Sequence, residues 1–368
     1  MAMDYAARVD QARRRMAIQR IDLLAVAPGD DLRYLCGFSP HPDERPCFLL
    51  LAASTAAFVV PSLNATQSAP YIPVPTFVYT DADGPAAALD AAKKALGGAS
   101  PARLALGDTM RADFVLLLSG VFPDAQLALA SDVLAYLRMR KSAEEIEALR
   151  RSAMHADQAI RDAWAACRAG ATEQEIADAA AASFRRSGSQ EVVFTGVASG
   201  PNGAFPHHSL SGRRLAAGDA VTLDLGGMLD GYASDITRVA CVGAPGAKYR
   251  EVHRTVDAAV QAALAAIRPG VPLKDVDLAA RGVIERAGFG EYFIHRVGHG
   301  LGISVHEPPS VTHLNETPID EGFVFSVEPG VYIPGEFGLR LEEIVYVGPD
   351  GAHVFSRLPR DIHVVPAG

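Results

Sequence analysis

Two stretches of this chain repeat each other, and the repeat decides the fold. Residues 168–200 read RAGATEQEIADAAAASFRRSGSQEVVFTGVASG, and residues 268–300 read RPGVPLKDVDLAARGVIERAGFGEYFIHRVGHG. Nine of the thirty-three aligned positions are identical, where average composition gives about two or three by chance. A repeat of this kind indicates two related halves of one architecture. We expect each half to begin with two helices, followed by a strand, a loop and a β-hairpin.

Helix signals set the bounds of the repeated region. Ser142 followed by Glu145 forms a capping box that opens a long helix ending at about Cys167. Apolar periodicity then predicts three more helices. The four predicted helices cover residues 143–167 and 173–187 in the first half, and 248–267 and 273–287 in the second.

The part of the chain before the repeat has a different pattern. Helical and strand signals alternate there, which predicts an α/β domain over residues 1–135, followed by a second domain over residues 136–368. The predicted helices of the first domain are residues 3–20, 85–96 and 111–119, and its predicted strands are 23–27, 47–51, 56–60 and 104–107.

Composition excludes several classes of function. The chain has 368 residues with 34 basic and 43 acidic side chains, a net charge of -9, and lacks a run of Lys and Arg, so we expect no nucleic-acid partner. No segment is long and apolar enough to span a bilayer, and we expect no membrane partner. The N-terminus lacks the apolar core of a secretory signal, and the four cysteines are scattered among apolar neighbours. We therefore expect a cytoplasmic protein with reduced thiols.

With small shifts, the repeat also aligns polar residues of the two halves. Matched pairs of acids and histidines suggest a site between the halves, whereas the alternative is a duplicated scaffold with solvated acids at hairpin ends. The matched pairs are His207 with His306, Asp224 with Glu328, and Asp235 with Glu342.

Strand alternation brings the four acids toward one cavity. Asp224 lies on one face of a strand whose other face is apolar, and Asp235 lies on the returning strand. Glu328 ends an apolar strand, where a charge is costly unless it is paired or bound to metal. Arg340 and Glu342 share one strand face, so we expect both to line the same cleft.

The surroundings of His299 and the charge of the four acids indicate a metal site. Glycines flank His299 and let the backbone approach another group closely. Four carboxylates with one imidazole carry too much negative charge for an unliganded pocket, and divalent cations resolve that conflict. Two metals bridged by carboxylates and a water would yield a hydroxide nucleophile at neutral pH. Oxygen-rich ligation favours Mn²⁺ or a similar hard ion.

These residues resemble the pita-bread metallopeptidase family, which includes methionine aminopeptidase, aminopeptidase P and prolidase. The resemblance rests on five motifs that cover the second domain. They are Leu223-Asp-Leu-Gly, Ser234-Asp-Ile-Thr-Arg, Gly298-His-Gly-Leu-Gly with Val305-His-Glu-Pro-Pro, Val327-Glu-Pro-Gly-Val-Tyr, and Arg340-Leu-Glu-Glu.

The first domain narrows the branch of the family. Its motif Asp31-Leu-Arg-Tyr-Leu-Cys-Gly-Phe resembles the creatinase-type domain that precedes the catalytic domain in aminopeptidase P and prolidase. The resemblance implies an α/β (α+β) fold in which a creatinase-like N-terminal domain precedes a pseudo-two-fold pita-bread catalytic domain.

The resemblance also implies roles for individual residues. Metal ligation falls to Asp224 for one ion, to His299 and Glu328 for the other, and to Asp235 and Glu342 as bridges. Catalytic roles fall to His207 and His306, which orient the scissile amide and stabilise the tetrahedral intermediate, to Glu328 as proton shuttle, and to Arg340, which supports a bridging carboxylate. His295 would line the substrate pocket.

The function that follows is hydrolysis of the Xaa-Pro bond of proline-containing peptides by a homodimeric enzyme with two divalent ions, most favourably Mn²⁺, with Co²⁺, Zn²⁺ or Fe²⁺ as alternatives. Some prolidases hold the dipeptide carboxylate with an arginine where this chain has Ser310, so both dipeptidase and aminopeptidase activity stay open. The rival functions are a hydrolase or lyase on the same scaffold acting on a small non-peptide metabolite, and a binding relative without catalysis.

Overall fold

The structure, a computed structural model, describes residues 3–367 and divides into two compact units between Arg138 and Met139. Each unit has a hydrophobic core of its own: Phe48, Leu50 and Val59 lie in the first core, and Ile160 and Phe184 lie in the second. Among the described residues, every helix is too short or too polar to cross a membrane.

The first unit is built on a six-stranded mixed sheet with strand order β4-β3-β2-β1-β5-β6. Its strands are β1 (Leu23–Val26), β2 (Phe48–Ala52), β3 (Ala56–Pro61), β4 (Thr76–Tyr79), β5 (Arg103–Leu106) and β6 (Gln126–Leu129). Its helices are α1 (Tyr5–Gln19), α2 (Asp30–Cys36), α3 (Ser62–Ser68), α4 (Ala86–Ala95), α5 (Ala112–Val121) and α6 (Ser131–Met139).

Two strands of this sheet were not predicted, and both lie at its edges. Only one of the four residues of β4 is buried, and none of β6 is. An edge strand with little burial lacks the apolar alternation from which strands are predicted. The four central strands are apolar and lie within a residue or two of their expected bounds.

The second unit contains two helix pairs and three sheets. Its helices are α7 (Ala143–Ala166), α8 (Glu173–Arg186), α9 (Ala247–Ala266) and α10 (Leu273–Arg286). The first sheet contains β7 (Glu191–Ser199), β8 (Ala220–Leu229), β9 (Tyr232–Ala233), β10 (Ile236–Val242) and β18 (His363–Val365). The second contains β11 (Gly298–Gly300), β12 (Glu307–Val311), β13 (Val324–Val327), β16 (Glu343–Gly348) and β17 (Gly351–Val354), and β14 (Gly330–Ile333) pairs with β15 (Phe337–Arg340).

The sequence repeat corresponds to a repeat in structure. Helices α8 and α10 begin and end 100 residues apart, and α7 and α9 end 100 residues apart. Side-chain caps explain two of these starts, because Ser142 and Thr172 each form a capping box with the glutamate three residues later.

Two antiparallel strand pairs place the predicted acids. In the first half, Asp224 on β8 lies opposite Thr237 on β10, and Asp235 immediately precedes β10. In the second half, Glu328 follows β13 and Glu342 precedes its partner strand β16. Each half therefore contributes two acids from one antiparallel strand pair, one on or next to each strand.

Candidate metal centre

All nine residues that the sequence singled out line one cavity of about 670 Å³ in the second unit. The cavity wall is formed by both halves of the repeat. The nine residues are His207, Asp224, Asp235, His295, His299, His306, Glu328, Arg340 and Glu342.

Strand β8 directs Asp224 into this cavity. Val221, Leu223 and Leu225 on the opposite face of β8 are completely buried in the hydrophobic core. Because side chains alternate along a strand, Asp224 between them must face the other way.

His299 is held by a backbone that only glycine permits. A Cβ atom at Gly298 would lie 1.9 Å from the Ser326 carbonyl oxygen, and one at Gly300 would lie 2.2 Å from the Pro308 carbonyl oxygen. The backbone N–H of His299 donates to the Ser326 hydroxyl at 2.9 Å. These close contacts leave the imidazole Nε2 3.1 Å from Glu328 Oε1 and 3.7 Å from Asp235 Oδ2.

Thr237 and Arg340 connect the acids of the two halves. The Thr237 hydroxyl lies 3.2 Å from Asp224 Oδ1 and 2.9 Å from Glu342 Oε2. The buried guanidinium of Arg340 donates to that hydroxyl at 3.1 Å, to Asp224 Oδ2 at 2.6 Å and to the Tyr332 hydroxyl at 2.9 Å. Arg340 therefore bonds Asp224 and also lies 3.8 Å from Glu328 Oε2. It does not bond the expected bridge Glu342 directly, because Thr237 stands between them.

The acids of the cavity do not share one protonation state. Burial, reinforced by the other carboxylates, raises the pKa of Asp235 and of Glu342 well above the usual range. Burial also acts on Glu328, but the hydrogen bond with His299 and the charge of Arg340 outweigh it and lower the pKa of Glu328 to about 2. The cavity holds more acidic groups than it can ionise without added positive charge.

The donor set fits divalent metal ions. Asp235 Oδ1 and Glu342 Oε1 are buried and find no hydrogen-bond partner among residues 3–367, and a buried acceptor without a partner is costly. Three overlapping groups have ligand atoms within 4.8 Å of one another: Asp224 with Asp235 and Glu342, His299 with Glu328 and Glu342, and Asp235 with His299 and His306. The first two of these groups share Glu342, as a pair of neighbouring ions with a common ligand requires.

The other predicted histidines lie around these acids. His306 is exposed, and its ring lies edge-on to that of His299 with centroids 4.1 Å apart. Burial and the nearby His299 lower the pKa of His306. His207 is exposed at the cavity wall, whereas Nε2 of its neighbour His208 donates to the Glu173 carboxylate at 2.9 Å.

Two residues of this region carried no predicted role. Tyr332 lies 3.0 Å from His295 Nε2 through its hydroxyl and links His295 to Arg340. Arg296 lines the cavity and donates to the Ser310 hydroxyl at 2.7 Å. Tyr332 belongs to the motif Val327-Glu-Pro-Gly-Val-Tyr, so the sequence contained a signal for it. The orientation of Arg296 depends on its contact with Ser310, fourteen residues away, which no local pattern shows.

Comparison with protein families gives two matches that together span most of the chain. Residues 147–349 match metallopeptidase family M24, and residues 8–140 match the creatinase/prolidase N-terminal domain. The fold class and the family resemblance inferred from the sequence are confirmed.

Curated proteins and solved structures agree with these matches. The chain is 39% identical to a probable dipeptidase PepE of Mycobacterium tuberculosis (98% of this chain, 97% of the relative) and 34% identical to an Xaa-Pro dipeptidase of Lactobacillus helveticus (94% and 95%). A crystal structure of prolidase from Thermococcus sibiricus superposes with a TM-score of 0.93 at 32% identity, covering 99% of this chain and 100% of that one. The chain belongs to metallopeptidase family M24.

Proposed function

We propose that this protein hydrolyses the Xaa-Pro bond of dipeptides with the help of two divalent ions. The names of its relatives, Xaa-Pro dipeptidase and prolidase, support the substrate class. The observation that carries the proposal is the cavity itself, where four acids and His299 converge and two buried carboxylate oxygens have no hydrogen-bond partner in the described part of the chain.

The ions would be held by five residues of this chain. Asp224 would bind one ion, His299 and Glu328 the other, and Asp235 and Glu342 both. Bound divalent ions supply Lewis acidity and lower the pKa of water, which makes hydrolysis accessible near neutral pH. One imidazole among carboxylates supports Mn²⁺ as the native metal, with Co²⁺, Zn²⁺ or Fe²⁺ as substitutes.

Proton transfer and charge stabilisation fall to residues beside the acids. Glu328 would carry the proton from the attacking water to the leaving amine, as the family resemblance implies; its Oε1 lies 3.1 Å from His299 Nε2 and its Oε2 lies 3.8 Å from Arg340 Nε. His306 is uncharged at neutral pH, because its pKa is lowered. Its N–H and that of His207 would donate to the scissile amide oxygen as negative charge develops.

Positioning falls to Arg340, Tyr332 and His295. Arg340 orients Asp224 directly. The Tyr332 hydroxyl contacts both Arg340 and His295 and so restricts the orientation of the His295 ring. His295 also contacts the Arg296 carbonyl through Nδ1 at 2.7 Å, so both ring nitrogens are engaged and the orientation of the ring at the cavity wall is fixed.

Arg296 supports a dipeptide over a longer peptide. Its guanidinium lines the cavity, donates to Ser310, and has no carboxylate partner among residues 3–367. It lies close enough to His306 to contribute to the lowered pKa of that imidazole. A free proline carboxylate would satisfy this cation with charge-assisted hydrogen bonds, whereas an extended peptide presents only a neutral amide there.

The proposal is tested by assaying Xaa-Pro dipeptides, Xaa-Pro-Yaa tripeptides and a panel of non-peptide amides after treatment with EDTA and after adding back Mn²⁺, Co²⁺ or Zn²⁺. We expect metal-dependent cleavage of the dipeptides. Turnover restricted to the non-peptide amides, or no metal-dependent turnover at all, would contradict it.

A matched pair of variants tests the assigned ligands. Asp235→Asn removes one charge and one ligand from the cavity and should lower kcat/KM at least 1000-fold, together with the metal content. Asp350→Asn makes the same change at an exposed position and should leave both unchanged. Near-normal turnover of Asp235→Asn would refute the ligand assignment.

We further propose a cytoplasmic homodimer with a domain boundary near residue 135. Four buried free cysteines support a reducing compartment, and the division of the chain between Arg138 and Met139 supports the boundary. The dimer rests on the family resemblance, and light scattering of the purified protein tests it.

A further inference from the structure

A buried carboxylate outside the metal centre binds the segment that carries His207. Glu173 is the first residue of α8 and is completely buried. All of its side-chain partners come from residues 199–211, which we call the His207 loop. Glu173 Oε1 accepts from Ser199 N at 2.8 Å, Ser199 Oγ at 2.7 Å and Asn202 Nδ2 at 3.0 Å, and Oε2 contacts His208 Nε2 at 2.9 Å, Ser211 N at 3.2 Å and Ser211 Oγ at 2.5 Å.

Helix capping does not explain this carboxylate. The N-terminus of α8 is already capped by Thr172. Its hydroxyl accepts from Glu175 N at 3.1 Å, and its backbone N–H donates to Glu175 Oε2 at 2.9 Å. Glu173 is therefore available for the loop, and six contacts exceed the roughly four lone-pair sites of a carboxylate. Although burial alone acts the other way, these hydrogen bonds lower the pKa of Glu173 to about 2.

The two adjacent histidines of the loop have different surroundings. The His208 side chain is 15% exposed and contacts Glu173, whereas His207 is exposed at the cavity and has no hydrogen-bond partner among the described residues. Among the described residues, no side-chain hydrogen bond fixes the place of His207. Its position must come from the backbone of the loop.

The loop also touches the strand that carries Arg340. A Cβ atom at Gly203 would lie 2.9 Å from the backbone nitrogen of Gly338 on β15. The loop thus fits between Glu173 on one side and β15 on the other, and a displacement of the loop would move His207 relative to the acids of the cavity.

We propose that Glu173 is a positioning residue for catalysis, which holds the His207 loop so that His207 faces the reacting amide, and that His208 anchors the loop and does not contact substrate. This inference rests on the proposed function only in its assignment of His207. Replacing Glu173 by Gln would turn an amide NH₂ toward N–H and O–H donors, and the loop would lose its anchor.

Hydrogen exchange of the metal-free protein tests the anchor without any activity. In Glu173→Gln, amide exchange in residues 199–211 should accelerate at least tenfold while that of residues 176–186 stays unchanged. Glu175→Gln is the matched control, since it makes the same change in the same helical turn and should leave loop exchange as in the wild type. Unchanged loop exchange in Glu173→Gln, or equal acceleration in both variants, would overturn the inference.

A double-mutant cycle tests whether Glu173 acts through His207. With a Xaa-Pro dipeptide, Glu173→Gln should lower kcat/KM about tenfold or more in the wild-type background and less than twofold in the His207→Ala background. If Glu173→Gln lowers kcat/KM by the same factor in both backgrounds, its effect is a general structural one and the proposal is refuted. If Glu173→Gln does not fold, Ser211→Ala, which removes one of the six contacts, carries the same two tests with smaller effects.

Absence of Xaa-Pro cleavage by the wild type would refute the proposed function and leave the exchange result standing. The exchange experiment then tests by itself whether Glu173 anchors the His207 loop. A substrate found with the panel of non-peptide amides replaces the dipeptide in the double-mutant cycle.

Discussion

Replacing Lys141 by methionine should destabilise the protein through an ion pair that flanks the candidate site. Lys141 Nζ lies 2.7 Å from Glu307 Oε1, and the two side chains are 1% and 2% exposed. Glu307 follows His306, so this pair also fixes the backbone at a proposed catalytic residue. Methionine keeps the length and the apolar stem of lysine but removes the cation that lies 2.7 Å from the buried Glu307 carboxylate.

The expected loss of stability is limited by protonation of the buried carboxyl group. Breaking a buried ion pair from one side costs about 3–5 kcal/mol. The carboxyl group limits the cost by taking up a proton, which from an ordinary glutamate pKa of about 4.3 costs about 4 kcal/mol at pH 7 and about 1 kcal/mol at pH 5. We therefore expect a loss of 3–4 kcal/mol at pH 7, on the order of the protonation cost, and of about 1 kcal/mol at pH 5.

Urea denaturation of the metal-free protein at both pH values measures this difference. Lys274→Met is the matched control, because Lys274 pairs with Glu316 at the same distance of 2.7 Å but with side chains 34% and 78% exposed. An exposed pair contributes about 0–1 kcal/mol, independent of pH in this range. A loss below 1 kcal/mol for Lys141→Met at pH 7, or the same loss at both pH values, would refute the reasoning.

Four further outcomes follow from the structure. Lowering the pH from 8 to 6 should weaken Mn²⁺ binding, measured by calorimetry, because the raised pKa of Asp235 makes protons compete with metal. Arg340→Lys should lower kcat/KM about 10–100-fold, since lysine cannot make all three bonds of the guanidinium. Arg296→Gln should raise KM for Xaa-Pro dipeptides about tenfold, but not for their C-terminal amides, while the exposed Arg254→Gln leaves both unchanged. The lowered pKa of Glu173 gives stability that is present above pH 4.5 and lost as the pH falls toward 2. The unfolding free energy of Glu173→Gln should therefore fall by about 2 kcal/mol less than that of the wild type between pH 5 and pH 3.

The fold was predictable wherever its determinants are local. The capping box at Ser142, the apolar alternation of β8 and the repeat that relates α8 to α10 are all visible within short stretches of sequence. The edge strands β4 and β6 escaped prediction because their few buried residues leave no pattern.

The set of residues at the candidate site was also accessible from the sequence, because metal binding and hydrolysis need particular residue types. All nine predicted residues line one cavity. Their motifs combine acids and histidines with the glycines that a close backbone approach at His299 requires.

The sequence by itself therefore determined the repeat, the four helices of the second unit, the four central strands of the first sheet and the inventory of acids and histidines. Only the tertiary structure decided which side chains meet: that Arg340 holds Asp224 across 116 residues, that His208 turns to Glu173 while His207 faces the cavity, and that Arg296 stands beside Ser310. The physical reason is that periodicity and capping act over a few residues, whereas these contacts join distant segments whose separation in space depends on the packing of the whole unit.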